Sequence, residues 1–277
     1  MDDEKRIQEL INKLTDYRPE LRWGPIEALS KIGKPAVPYL VDALKDENVF
    51  VGKGVADALG KIGDIRTIPA LVSELNAKNW HMQCSAAEAL GRIGFENISI
   101  NDKILSLLIL GKSNEVVAIG EPAVPALINA LKDKNAFIRE STAEVLWTIA
   151  EKEVDISAAV PALIVALKDT RSDDVWDWAG EALLKIAEKL KDKGNPSDAL
   201  KIVKTLTVHI IKEYNGKKDR DSLRERRFRL SYLVNLTQEI YDKMNPLDKR
   251  EPIAWKRPRR SSKSVYKPFS SKTVYTR

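Results

Sequence analysis

The chain repeats itself, and that constrains it more than any other feature. Residues 34–63 read KPAVPYLVDALKDENVFVGKGVADALGKIG; copies follow at 64–94, at 121–150 and, in a longer form, up to Ala187. A unit of about 30 residues is too short to bury its own apolar face and must stack on its neighbours. Each copy divides into two helices. The first opens on a proline (Pro38, Pro69, Pro125, Pro161), where a missing N–H is harmless because the opening amides of a helix have no intrahelical partner. A polar turn such as KDEN or KDKN follows. The second helix aligns column by column. Leu21, Val51, Met82, Ile138 and Val175 form one apolar column, Leu29, Leu59, Leu90, Leu146 and Leu183 another, and Ile32, Ile62, Ile93, Ile149 and Ile186 a third. Helical spacing puts all three on one side, which assigns them to the core. Gly33, Gly63 and Gly94 end the helices, since glycine readily takes the left-handed conformation that stops one.

These units, with AVPALxxAL, a polar turn and an AxEALGxIG ending, resemble HEAT-like repeats, and most nearly the short variety of phycobilin-lyase-type proteins, over residues 20–190. The resemblance implies an all-α, right-handed solenoid of about six helical hairpins. Such arrays serve as scaffolds, adaptors and chaperones and, less often, as enzymes. The family places an arginine after the first apolar column. Arg22 and Arg139 keep it; Gly52, Gln83 and Trp176 depart from it.

Three segments are foreseen: the array over residues 1–193, two capping helices within 194–251 (about 196–215 and 221–244), and a disordered basic tail at 252–277. Residues 2–16 form an amphipathic helix on Ile7, Leu10, Ile11 and Leu14, opening a capping repeat. At 95–120 the glycine-to-glycine spacing shortens, which predicts a repeat with a truncated second helix. Its run ILSLLIL at 104–110 reads either as a buried helix or as one wall of a partner-binding groove.

The net charge of +6 conceals an asymmetry: residues 1–200 carry 25 Lys and Arg against 32 Asp and Glu, residues 201–277 carry 21 against 8. The opening MDDEKRIQEL lacks the apolar run of a signal peptide, no stretch is long enough to cross a membrane, and the single Cys84 cannot form an internal disulfide. A soluble cytoplasmic protein is expected.

Candidate sites follow from departures and regularities in the columns. Glu27, Asp57, Glu88, Glu144 and Glu181 share one column, and Lys31, Lys61, Arg92 and Lys185 stand four residues after four of them, as i,i+4 partners. That column is either a solvated face or an acidic stripe guiding a cationic partner. Trp176, Trp178 and Trp147 break their columns, whereas Asp177 falls with Trp23, Lys53, Cys84 and Glu140 in a column expected at the surface; the tryptophans read as bulky filling against the C-terminal helices, or they and Asp177 as anchors of a recognition site. The Trp-Asp-Trp triplet also resembles the DNA-facing residues of HEAT-like alkylpurine DNA glycosylases. Arg224, Arg226, Arg227 and Arg229, with Lys256, Arg257, Arg259 and Arg260 and interleaved aromatics, suit phosphate and base contacts. His81 and Cys84, three apart, suit at most half a metal site or a thiol–imidazole pair. No phosphate loop, HExxH or GxSxG occurs. The expectation is a non-catalytic scaffold without cofactor or metal. It presents its second-helix face to a protein or peptide; nucleic-acid binding through the basic end is the alternative, and a bilin-lyase-like or glycosylase-like enzyme the third.

Overall fold

The computed structural model describes residues 3–152, 154–169, 172–213 and 220–245, with the side chains of 173, 213 and 220–228 left aside. Every regular element among the described residues is helical. They fall into two compact units, residues up to Ile119 and residues from Gly120 onward.

The first unit holds α1 (Asp3–Asn12), α2 (Pro19–Ile32), α3 (Val37–Ala43), α4 (Val49–Ile62), α5 (Ile68–Glu74), α6 (Trp80–Ile93), α7 (Ile100–Ile109) and α8 (Ser113–Ile119). The second holds α9 (Val124–Ala130), α10 (Ala136–Glu151), α11 (Val160–Ala166), α12 (Asp173–Asp192), α13 (Pro196–Glu213) and α14 (Arg220–Met244). Within each unit, helices pair into hairpins and successive second helices pack side by side. The all-α array of hairpins and the pair of long helices after it match the expected class.

The local causes are visible in the turns. Each proline sits in the first turn of its short helix, directly after a 3₁₀ turn. The asparagine ending three of the polar turns caps the following helix: Asn48 accepts from Phe50 N at 2.9 Å, Asn79 from His81 N at 2.8 Å and Asn135 from Phe137 N at 3.0 Å. An uncapped amide at a helix start would go unsatisfied, so these asparagines fix where the second helix begins.

The leucine column is wholly buried at all five positions. The isoleucine column is fully buried at Ile149 and Ile186 and half-buried at Ile32, Ile62 and Ile93. Leu21 corrects the first column: it is 46% exposed, whereas Val51, Met82, Ile138 and Val175 are buried. It lies on the outer flank of the first hairpin, which among the described residues has no preceding hairpin to cover it. In the shortened repeat α8 has only seven residues, against 14 in α2, α4 and α6. Ile104, Leu107, Leu108 and Ile109 are buried there, so this run is a core helix rather than a groove wall. The second unit ends on α13 and α14, whose Ile202, Val203, Leu206 and Ile210 and Leu233, Leu236 and Ile240 are buried.

Candidate interaction surface

With the core columns removed, each second helix keeps one polar stripe, three positions spaced by four: Trp23, Glu27, Lys31; Lys53, Asp57, Lys61; Cys84, Glu88, Arg92; Glu140, Glu144, Thr148; Asp177, Glu181, Lys185. The acidic column runs through the middle. Its ion pairs are not the expected i,i+4 ones. Glu27 pairs with Lys61 and Asp57 with Arg92, each acid reaching the base of the next hairpin. Adjacent second helices approach so closely that the neighbour's base is the better partner: a Cβ on Gly60 would stand 2.9 Å from Ala89 Cα. The Lys61 hydrogen bond holds the Glu27 carboxyl below its ordinary range. Glu88 is exposed. Glu144 is exposed too, yet partial desolvation of its carboxyl pushes its pKa up. Glu181 is 2% exposed, which corrects its placing on a solvated face. The column is therefore no continuous acidic ladder; over the first unit acids and bases alternate.

The tryptophan-rich copy is engaged from within. Trp147 and Trp178 pack with ring centroids 4.8 Å apart, tilted by 37°. Arg229 of α14 lies over the Trp176 ring, 5.1 Å from its centroid, and its Nη1 donates to Asp177 Oδ1 at 3.1 Å. Arg229 is 5% exposed, so it is a buried tie rather than the phosphate contact its sequence setting suggested.

The arginine column explains why this contact exists. Arg22 donates to the Asp16 carbonyl at 2.6 Å, Gln83 to that of Ala77 at 3.0 Å and Arg139 to that of Asp133 at 2.9 Å. In each case a side chain ties down the turn of its own hairpin six residues back. Arg22 also lies over the Phe50 ring, and Arg139 Nε reaches Asp169 of the next hairpin at 2.5 Å. At Gly52 the space is filled by Met82, whose Sδ would stand 2.6 Å from an added Cβ. The same column carries an indole at Trp176, and there a guanidinium arrives from α14.

Trp23, by contrast, stands open, 72% exposed at the head of the first stripe. Beside it, a Cβ added to Gly24 would meet nothing within 4 Å. Tyr17, 71% exposed, and Leu21 flank the same hairpin. Trp23 shares its column with Lys53 and Cys84, and that column position is the signal in the sequence that points to the surface.

His81 is exposed, and burial together with nearby Glu88 pushes the Cys84 thiol up, away from the reactive thiolate. His209 is half-buried, its Nδ1 2.9 Å from the Thr205 carbonyl. Among the described residues no group of three or more His, Cys, Asp or Glu is arranged to hold a metal. None of the described helices is long and apolar enough to cross a membrane. The side chains of Arg224 and Arg227, and all of Lys256, Arg257, Arg259, Arg260 and the 252–277 tail, lie outside the described residues.

Two family models match: one for HEAT repeats over residues 7–91, another for the HEAT repeat over residues 123–152. No curated protein sequence matches. Among solved structures, an engineered protein is similar at 19% identity, with 88% of this chain and 98% of that one covered and a TM-score of 0.32. Human deoxyhypusine hydroxylase in complex with glycerol is similar at 19% identity, with 85% and 96% covered and a TM-score of 0.31. The CpcE–CpcF complex of phycocyanin lyase from Nostoc sp. is similar at 16% identity, with 84% and 94% covered and a TM-score of 0.30.

Proposed function

Starting from a chain built of HEAT repeats, we propose that it is a non-catalytic scaffold or adaptor, docking a protein or peptide on the face formed by its second helices. The observation that carries this reading is Trp23: a 72% exposed tryptophan at the head of a stripe of alternating charge, on a helix whose opposite face is locked into a core. Aromatic side chains concentrate binding energy at interfaces, and charges around them set register and steer encounter. A surface already ordered loses little entropy when a partner docks. Glu88 and Glu144, exposed acids of the column, attract cationic side chains of the partner, while Glu27 and Asp57 serve mainly the stacking of the array.

The test is comparative. Partners recovered with the purified protein are re-measured by direct titration against Trp23→Ala and Glu88→Lys. Trp23→Ala weakens binding by ~2 kcal/mol, about thirtyfold, with an unchanged thermal midpoint. Equal affinity for wild type and Trp23→Ala would sink the reading. The charge of residues 201–277 favours a second reading, nucleic-acid binding through the basic helix and tail. That reading requires affinity for a generic oligonucleotide that falls steeply with salt and collapses when Lys256, Arg257, Arg259 and Arg260 are neutralised. Salt-indifferent binding removes it.

A further inference from the structure

Helix α14 carries two stripes. Leu233, Leu236 and Ile240, headed by Arg229, form a buried stripe, and the helix packs chiefly on α13. Tyr232, Glu239 and Lys243 form a polar stripe that meets α12. Tyr232 donates to Glu188, Lys191 pairs with Glu239 at 2.6 Å, and Lys243 pairs with Asp192 at 2.8 Å and donates to the Lys191 carbonyl at 3.2 Å. The side chains of Glu239, Lys243 and Asp192 are 60%, 46% and 66% exposed, and Lys191 is shielded at 14%; with an exposed member in each pair, both are weak and salt-screened. The buried tie between the two helices is Arg229, held between the Trp176 face and the Asp177 carboxylate.

We propose that α14 is a releasable clasp over an arginine-recognition site formed by Trp176 and Asp177. The chemistry of the site is that of guanidinium binding: an indole face for stacking and a carboxylate for the N–H donors. Arg229 is its resident in this structure. When α14 lifts, the site takes an arginine presented on a helix of a partner. This second patch rests on the scaffold reading above, but its test does not depend on Trp23.

Hydrogen exchange on the full chain reads the clasp directly. Raising NaCl from about 0.1 M to about 1 M shortens the screening length from ~10 Å to ~3 Å. It lowers the protection of α14 modestly, whereas Arg229→Ala lowers it at least about tenfold at low salt, because the buried tie outweighs the exposed seam in holding α14 to α12. Arg229→Lys, which keeps the charge but loses the planar stack, falls between. Protection in α9–α12 stays constant throughout. In the Arg229→Ala chain, a peptide of residues 220–245 quenches tryptophan fluorescence and binds at least about tenfold more tightly than the same peptide with Arg229→Ala. The proposal is overturned if α14 keeps its protection in Arg229→Ala. Loss of protection in α9–α12 together with α14, or failure of the two peptides to differ, overturns it equally.

Discussion

Arg139 is 1% exposed, and its charge is matched by Asp169, itself almost buried. A charge so placed is tolerable only while its partner and its carbonyl acceptors stay in position. Asp169→Asn therefore costs ~3–5 kcal/mol in urea unfolding, while Arg139→Met, which removes the charge and keeps most of the volume, costs less. A different kind of polar residue governs the acid limit. Asp64 accepts the Arg66 backbone N–H at 3.0 Å and its guanidinium at 2.5 Å, and these bonds hold its carboxyl down to about 2. Asp16 is held down to about 2 by Arg18 in the same way. A carboxyl with a depressed folded pKa adds stability above its unfolded value, and that contribution disappears as pH falls through the folded one. Unfolding free energy thus declines from about pH 4 toward about pH 2, and Asp64→Asn flattens that slope in acid titrations followed by circular dichroism. The asparagine caps fall in polar turns that the sequence displays, whereas Asp16 reads there as the end of the helix over 2–16 and Asp64 as the start of a copy. Their guanidinium partners were nearby in sequence, and so the short-range part of this chemistry was legible; the Arg139–Asp169 bond, 30 residues apart, was not.

At the scale of the element, two glycines on second helices behave differently. A Cβ on Gly60 would come within 2.9 Å of the Ala89 backbone, so Gly60→Ala forces α4 and α6 apart and costs about 1–3 kcal/mol. Gly24 has open space apart from its chain neighbours, but it precedes Pro25 within α2, whose ring disfavours helical backbone in a residue with a Cβ. That clash offsets the entropic gain, and Gly24→Ala changes stability by less than about 1 kcal/mol. Thermal unfolding of the two variants separates them in magnitude. The helices themselves, their prolines, caps and apolar columns were legible because each depends on residues within a turn or two. The ion pairs of the acidic column were not. Spacing of four within a helix names Lys31 for Glu27, but the close approach that Gly60 permits illustrates how a neighbouring helix competes, and Lys61 takes the bond.

Across the whole molecule, six tryptophans pose the sharpest question, since composition alone does not say which of them face solvent. Trp147 and Trp178 pack on each other and Trp176 lies under Arg229, whereas Trp23 is open. Hence Trp23→Ala leaves the urea midpoint unchanged and affects binding, which equilibrium unfolding alongside the partner titration checks. The array of helical hairpins, their prolines and turns, and the core columns with the exception of Leu21 could all be read from the residues alone. Those properties follow from helical period and turn chemistry, which act locally and recur with every copy. Which charges neutralise each other, the guanidinium that α14 brings to the last repeat, and which of the described tryptophans stands open emerge only when the helices pack. Those outcomes depend on which helices come within a few ångströms of each other, and a periodic sequence offers several equivalent partners until packing selects one.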